Sequence, residues 1–187
     1  NQISYKHLIN TAGLYADKIA HKAGAGMDYS IIPFKGLYME YTDPSFINRL
    51  IYPVPDLSNP FLGVHFTRTV HGKVKLGPTA IPALWRENYS GFSNFNLVEL
   101  FENLSTEASL FLKNSFNFRA LAMNEMKKYN KANMIELASG LVKTIDPAKA
   151  GSYLASGIRA QLLDRTKMSL VMDFVVEYGD NSTHVLN

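Results

Sequence analysis

Cysteine is absent from this chain of 187 residues, which excludes disulfides and thiolate chemistry. Only His and carboxylate side chains remain as metal ligands, and we predict no metal site. The sequence also lacks an apolar run long enough to cross a membrane as a helix. It does not start with the charged and then apolar segments of a signal peptide. The lack of cysteine fits a reducing compartment.

Charge is moderate and spread along the chain. Charged residues make up 19% of the sequence and hydrophobic residues 47%, proportions that are ordinary for a globular protein. The net charge of +3 permits an anionic substrate or a membrane surface as partner. The basic residues are scattered apart from Lys127, Lys128 and Lys131, a cluster typical of a solvated helix face. We identify no nucleic-acid module and expect no nucleic-acid partner.

The hydrophobic pattern predicts an α+β fold with a mostly antiparallel sheet and a helical insertion. A buried strand is expected over residues 5–9, followed by a helix from residue 14 to about residue 23. Gly24 and Gly26 then end this helix. From residue 96 to about residue 145 the apolar residues recur at helical spacing, and strand-like composition returns at 152–163 and 170–178. The helical region therefore interrupts a sheet formed by segments on both sides of it.

Several strands are expected before the helical region. One covers residues 31–41, with Gly36 at a place where another group approaches the backbone closely. Others cover residues 49–52 and 61–70, and a His-Gly turn leads the last of these into a return strand. Alternation along residues 61–70 turns His65 away from the apolar face, towards a cavity or the solvent.

Three segments are similar to a known family: LINTAGLYADKIA from Leu8, PFKGLYMEY from Pro33, and LIYPVPDLSNPFLGVHFTRTVHGKVKLGP from Leu50. Together with GIRAQ at 157–161 and HVLN at 184–187, they resemble in order the L-2-hydroxyglutarate dehydrogenase/oxidase family. These are flavoproteins of the larger FAD-dependent, D-amino-acid-oxidase-like group. The resemblance implies oxidation of L-2-hydroxyglutarate, a small dicarboxylate, to 2-oxoglutarate, with electrons passed to oxygen or to a membrane acceptor.

The resemblance also implies that the chain is an internal fragment of a longer protein. Residues 1–28 would be a remnant of the FAD-binding domain and residues 29–156 an FAD-linked-reductase-type substrate-binding domain. Residues 157–187 would return towards the FAD-binding domain. The GxGxxG fingerprint is absent, because GAGMDY at 24–29 follows a helix rather than a strand. FAD is therefore expected as cofactor of the intact parent, with its main binding segments outside this chain.

Candidate site residues follow from the same resemblance. Thr11, Ala12 and Gly13 match the family's turn next to FAD, and a strand, small-residue turn and helix let backbone N–H groups approach a phosphate or cofactor. A plain strand-to-helix turn is the alternative. Arg159 matches the position of a substrate-carboxylate arginine, whose planar fork pairs bidentately. A surface ion pair is the alternative for Arg159.

His65 is the candidate general base, since a hydroxyl proton must leave as hydride moves and its ordinary pKa is near neutrality. A histidine that is hydrogen-bonded within the sheet is the alternative. Lys35 replaces the arginine of the family's Pro-Phe-Arg-Gly motif, and Arg86 matches the family's Phe-Lys-Arg-Glu run. Both could hold a distal carboxylate or belong to surface ion pairs. His184 lies beside an expected flavin-binding segment, and its role stays open.

Two other functions stay open, and the location of the protein is an expectation only. The parent could act on another hydroxy or amino acid, although LIYPVP and GVHFTRT are particular to the hydroxyglutarate members. The fragment alone could be a non-catalytic binding domain, and we expect it to be inactive by itself. We expect a cytoplasmic protein, with contact at the periphery of the inner membrane left open.

Overall fold

This computed structural model describes residues 3–55 and 60–187. It contains three small sheets and a helical region that lies in the middle of the sequence. Residues 56–59 of the matched segment that starts at Leu50, and the first two residues of the expected FAD-domain remnant, lie outside the described residues. The predicted α+β class with mainly antiparallel sheets is confirmed. One strand pair, between Leu8–Asn10 and Ser182–Val185, is parallel.

The terminal sheet brings the two ends of the chain together. Strand β1 (Leu8–Asn10) pairs with β11 (Ser182–Val185), which pairs with β10 (Val176–Gly179). A 3-10 turn (Gly13–Tyr15) and helix α1 (Ala16–Lys22) follow β1. The strand expected at residues 5–9 is shorter and starts later, and Ile9 is 68% exposed because one side of this strand is open to solvent.

The central sheet has the order β6-β2-β8-β9. Its main ladder joins β2 (Tyr29–Gly36) to β8 (Gly157–Asp164) over all eight residues of each strand. Strands β6 (Ile81–Pro82) and β9 (Ser169–Leu170) complete its edges. The ladder confirms that segments on both sides of the helical region share one sheet.

The hairpin sheet has the order β4-β5-β3-β7. Strands β4 (His65–Arg68) and β5 (Val74–Gly77) form the predicted hairpin. Strands β3 (Met39–Tyr41) and β7 (Ala150–Tyr153) pair beside them.

The strand predicted over residues 31–41 is instead split between the central and hairpin sheets. Leu37 interrupts the strand, because its N–H donates to Thr79 Oγ1 and its carbonyl accepts from the Thr79 N–H. The strand predicted at 49–52 is reduced to one bridge between Ile51 and Phe66. Pro53 and Pro55 follow it and have no N–H to extend a ladder.

The predicted helical region is confirmed as three helices. They are α2 (Leu97–Lys113), α3 (Phe118–Lys127) and α4 (Lys131–Ser139), and a 3-10 turn (Pro147–Lys149) capped by Asp146 follows them. Asn96 caps α2 by accepting from two backbone N–H groups of the first turn, which satisfies donors that the helix leaves unpaired.

The lysine cluster is only partly solvated. Lys128 is buried and forms an ion pair with Glu125, which also accepts a hydrogen bond from the Ala80 N–H at 2.7 Å. This pair ties the end of α3 to the segment before β6, so the prediction of a fully solvated helix face is wrong at Lys128.

Candidate functional site

A cavity of about 290 Å³ opens where the central sheet meets the segment that leads into β4. Its size lies at the lower end of the roughly 300–1,000 Å³ typical of small-molecule sites. Most of its lining is apolar, with His65 and Arg159 as the ionisable groups besides Tyr38. The lining residues are Phe34, Gly36, Tyr38, Phe61, Leu62, His65, Pro78, Thr79, Ala80, Gly157, Ile158 and Arg159.

His65 is the first residue of β4, and its imidazole is buried at the cavity wall. Alternation places Phe66 in the core and His65 on the other side, as predicted, and the structure resolves the choice in favour of the cavity over the solvent. The Nδ1 atom lies 2.9 Å from the carbonyl oxygen of Gly63. Because a carbonyl only accepts, Nδ1 carries the proton, and Nε2 of the neutral ring is the atom that can accept one.

Burial is the main influence on the pKa of His65. It lowers this pKa below the ordinary value of 6.5, while the hydrogen bond to Gly63 acts in the opposite direction. The imidazole is therefore held neutral at physiological pH, which is the form that a general base requires.

Two tyrosines flank His65, and the sequence analysis assigned them no role. The ring of Tyr52 packs on the imidazole at a centroid distance of 4.3 Å, and Tyr38 meets it edge-on at 6.0 Å. Burial raises the pKa of Tyr38, with a further contribution from Tyr52. These contacts fix the plane of the imidazole. A signal was present, since Tyr38 and Tyr52 lie in two of the segments that carry the family resemblance.

Arg159 enters the cavity from β8, directly opposite Phe34 in the ladder. Its guanidinium lies 5.5 Å from the ring centroid of Phe61 and donates a long hydrogen bond of 3.4 Å to the Pro60 carbonyl. Burial lowers the pKa of Arg159. Within residues 3–55 and 60–187 no carboxylate forms an ion pair with it. The structure therefore brings His65 and Arg159 to one cavity.

Arg86 does not line this cavity. Its guanidinium makes a two-point ion pair with Asp17, both contacts being 2.8 Å, and also donates to the carbonyl of Leu14. The two side chains are 5% and 2% exposed. Burial opposes ionisation of Asp17, but Arg86 and the N–H groups of Ile31 and Lys18 together lower its pKa. The alternative of an ion pair therefore describes Arg86, except that the pair is buried rather than on the surface.

Lys35 is likewise outside the cavity lining. Its ammonium group donates to Asn88 Oδ1 at 2.8 Å, and burial lowers its pKa. Of the three cations that the sequence suggested for substrate binding, the structure places only Arg159 beside His65.

The turn at residues 11–13 tests whether a flavin could approach. All three residues are exposed. Gly13 has φ of +54°, a conformation that side chains rarely adopt, and a Cβ placed on it would meet no atom within 4 Å. The backbone at this turn is thus open to a large ligand, and residues 11–13 fit the predicted contact with FAD.

Other classes of site find no support among the described residues. No group of three or more His, Asp or Glu side chains there is arranged to hold a metal ion. Within residues 3–55 and 60–187, no helix combines the length and the apolar character needed to span a membrane.

Comparison with known proteins identifies relatives of the whole chain. A family model described as FAD dependent oxidoreductase matches residues 1–182. The L-2-hydroxyglutarate dehydrogenase of Indibacter alkaliphilus is 39% identical over 96% of this chain and 45% of its own length. The mitochondrial L-2-hydroxyglutarate dehydrogenase of Mus musculus is 35% identical over 100% of this chain and 41% of its own length. The chain thus spans less than half of these relatives.

One solved structure supports the fold. The FAD-bound, dithionite-reduced L-alpha-glycerophosphate oxidase of Mycoplasma pneumoniae matches 96% of this chain and 37% of its own, with a TM-score of 0.55. At 18% sequence identity, this similarity concerns the path of the backbone.

Proposed function

Because the chain belongs to the FAD dependent oxidoreductase family, we propose that it supplies the substrate-binding region of an enzyme that oxidises L-2-hydroxyglutarate to 2-oxoglutarate. The observation that carries this proposal is the cavity in which neutral His65 and cationic Arg159 meet. The names and identities of the relatives support the choice of substrate.

Arg159 binds the C1 carboxylate of the substrate in this proposal. Within residues 3–55 and 60–187, its guanidinium has a ring contact with Phe61 and a single long hydrogen bond to a carbonyl. These contacts leave most of its five N–H donors for a ligand. A planar fork matches the two oxygens of a carboxylate. Arg159 is exposed as a residue, but the cavity wall removes part of the water around its guanidinium. That loss of water strengthens the attraction, because the charges are screened less.

His65 accepts the proton of the C2 hydroxyl at Nε2 in this proposal. Oxidation of the alcohol breaks the O–H bond and the C2–H bond, and a double bond forms between C2 and the hydroxyl oxygen. The proton goes to His65, and FAD, when bound, supplies the acceptor for the hydride from C2. Tyr52 and Tyr38 hold the imidazole plane while Nδ1 stays bonded to the carbonyl of Gly63.

Residues 11–13 would hold the cofactor with their backbone in the same proposal. The exposure of this turn and the open space at Gly13 support that role. The proposal includes an electron acceptor, either oxygen or a membrane component. It also includes a cytoplasmic location with contact at the inner membrane.

The test is a substrate panel on the flavin-loaded, full-length gene product. L-2-hydroxyglutarate, its D enantiomer, L-lactate, L-glutamate and glycerol 3-phosphate are each assayed with an artificial electron acceptor. We expect kcat/KM to be highest for L-2-hydroxyglutarate, with 2-oxoglutarate as product. A higher value for L-lactate or L-glutamate would replace the proposed substrate, and a preparation without flavin would reject the proposed enzyme class.

A further inference from the structure

A buried polar network links the terminal sheet to the turn at residues 11–13. Asn10 and His184 face each other in the parallel register of β1 and β11, and they are 3% and 0% exposed. Ser182, two residues earlier on β11, is buried as well. Buried polar side chains are tolerated when they are hydrogen-bonded, so the bonds among these residues determine what the network does.

The side-chain amide of Asn10 has one favourable orientation. Its Oδ1 accepts from the Ala12 N–H at 3.1 Å, and its Nδ2 donates to the Ala16 carbonyl at 2.8 Å. Rotating the amide by half a turn would place an N–H against the Ala12 N–H and an oxygen against the Ala16 carbonyl. The orientation of the amide is therefore set by the backbone on both sides of the turn.

His184 accepts a hydrogen bond from the second N–H of this amide. Asn10 Nδ2 lies 3.0 Å from His184 Nδ1, and because the amide nitrogen only donates, Nδ1 is the acceptor. The imidazole proton is then on Nε2, which lies 3.0 Å from Ser182 Oγ and donates to it. The hydrogen bonds run in one direction, from Ala12 to Asn10, from Asn10 to His184, and from His184 to Ser182.

We propose that His184 is a positioning residue for the turn at residues 11–13, acting through Asn10. The three turn residues are exposed, so the bond from Asn10 to Ala12 fixes the turn from its buried side. A turn held in one conformation binds a ligand with a smaller loss of conformational entropy. The inference rests on the proposed role of this turn in holding FAD, and it gives a function to a histidine that the proposed reaction does not use.

The experiment compares variants of the full-length protein in two measurements. His184→Phe keeps an aromatic ring but removes both nitrogens, Asn10→Ala removes the amide, and His184→Gln restores an acceptor for Asn10. His7→Ala is the matched control, because His7 bonds to Thr183 on the same strand β11 but lies at the exposed surface. Hydrogen–deuterium exchange of the Ala12 amide is measured without flavin, and the Kd for FAD is measured by titrating the apoprotein.

We expect exchange at Ala12 to quicken and the Kd for FAD to rise about tenfold or more in His184→Phe and Asn10→Ala, equivalent to about 1.4 kcal/mol. His184→Gln should lie between these variants and wild type, and His7→Ala should match wild type. If His184→Phe does not fold, His184→Gln and Asn10→Ala are compared with His7→Ala in the same two measurements.

Two results would overturn the inference. One is exchange at Ala12 in the network variants equal to that of His7→Ala, which leaves the proposed enzyme intact. The other is faster exchange with an unchanged Kd for FAD, since the turn would then be fixed without serving the flavin. Failure of the wild-type protein to bind FAD would instead reject the proposed function, so the two failures are distinguishable.

Discussion

Arg86 is buried, while Arg159 is an exposed residue at the wall of a cavity, and their guanidinium groups have different partners. The guanidinium of Arg86 donates hydrogen bonds to the carboxylate of Asp17 and to the carbonyl of Leu14, both inside the fold. Among the residues that the structure describes, Arg159 has one long hydrogen bond to a carbonyl and an aromatic contact at the wall of a cavity. A buried cation that is paired with a carboxylate inside the fold serves the structure, while one with spare donors beside a cavity is available to a ligand.

The largest effect that would sharpen this comparison is expected at His65. His65→Gln removes the titratable base at the cavity and should lower kcat in the full-length enzyme by about 10²–10⁴-fold. Flavin content and the thermal unfolding midpoint should stay near wild type, because the amide remains polar at a cavity wall. A kcat within twofold of wild type would mean that another group takes the proton.

The pH profile of the wild-type enzyme gives a second test of His65. Since burial lowers its pKa below 6.5, the imidazole remains a neutral base at pH values at which an exposed histidine is protonated. The acidic limb of kcat/KM should therefore have its midpoint below pH 6.5, and it should disappear in His65→Gln. A midpoint well above 6.5, or a limb that survives the substitution, would contradict the role of base.

Arg86→Met tests the other side of the comparison. The substitution leaves the Asp17 carboxylate buried without its partner and should lower the free energy of unfolding by about 3–5 kcal/mol. Lys18→Met is the matched control: it breaks an ion pair with Glu102 whose side chains are 36% and 52% exposed, and such pairs contribute about 0–1 kcal/mol. Equal destabilisation by both substitutions would show that burial of the Arg86 pair is unimportant.

The Arg86–Asp17 pair should also make the stability of the folded protein depend on pH in the acidic range. The folded protein lowers the pKa of Asp17 below 3.8, so the stabilisation from its ionised form is present above pH 3.8. That stabilisation is lost as the pH falls through the pKa of the folded state. The difference in stability between wild type and Arg86→Met should therefore shrink in this acidic range, as denaturant unfolding at several pH values can measure.

Arg159→Ala should affect activity and leave stability nearly unchanged. Loss of one partner of a buried charge pair with the substrate costs about 2–5 kcal/mol in kcat/KM. Arg159→Lys should recover only part of this, because an ammonium group lacks the fork. Arg165→Ala, at the exposed turn after β8, is the control. Wild-type kcat/KM in Arg159→Ala would assign the carboxylate to another group.

In the part of the chain that the structure describes, Glu107 on α2 also has a side chain with an unsatisfied polar atom, but it does not line the cavity. The effect expected at Glu107 is smaller. Its Oε1 is buried with no hydrogen-bond partner among the described residues, and burial raises its pKa from 4.5 to about 8. Between these pH values the folded state holds a proton that the unfolded state releases, so stability falls as pH rises.

Glu107→Gln should therefore raise the free energy of unfolding at pH 8 by about 1–3 kcal/mol and change it little near pH 4.5. Denaturant unfolding at both pH values measures this difference, with Glu136→Gln on the exposed surface of α4 as control. The same gain at both pH values would show that the proton on Glu107 is not the cause.

The sequence was sufficient for features that depend on local pattern. Alternation predicted the direction of His65, and helical spacing predicted the region that contains α2, α3 and α4. Features that depend on partners distant in sequence could not be predicted from the sequence. The partner of Arg86 is 69 positions away, so residues 84–87 alone suggest a free arginine. The division of residues 31–41 between two sheets depends on Thr79, which no periodicity in that segment reveals.

The long ladder between β2 and β8 has a consequence for how this protein folds. Phe34 and Arg159 both line the cavity and lie side by side because they are paired in this ladder. Residues 37–156 lie between the two strands, so their pairing closes a loop that contains most of the chain. Closing a long loop costs entropy before any contact forms, and pairings of this kind slow folding. We expect the helices to form on the growing polypeptide first, and the cavity to form only after β8 has been synthesised.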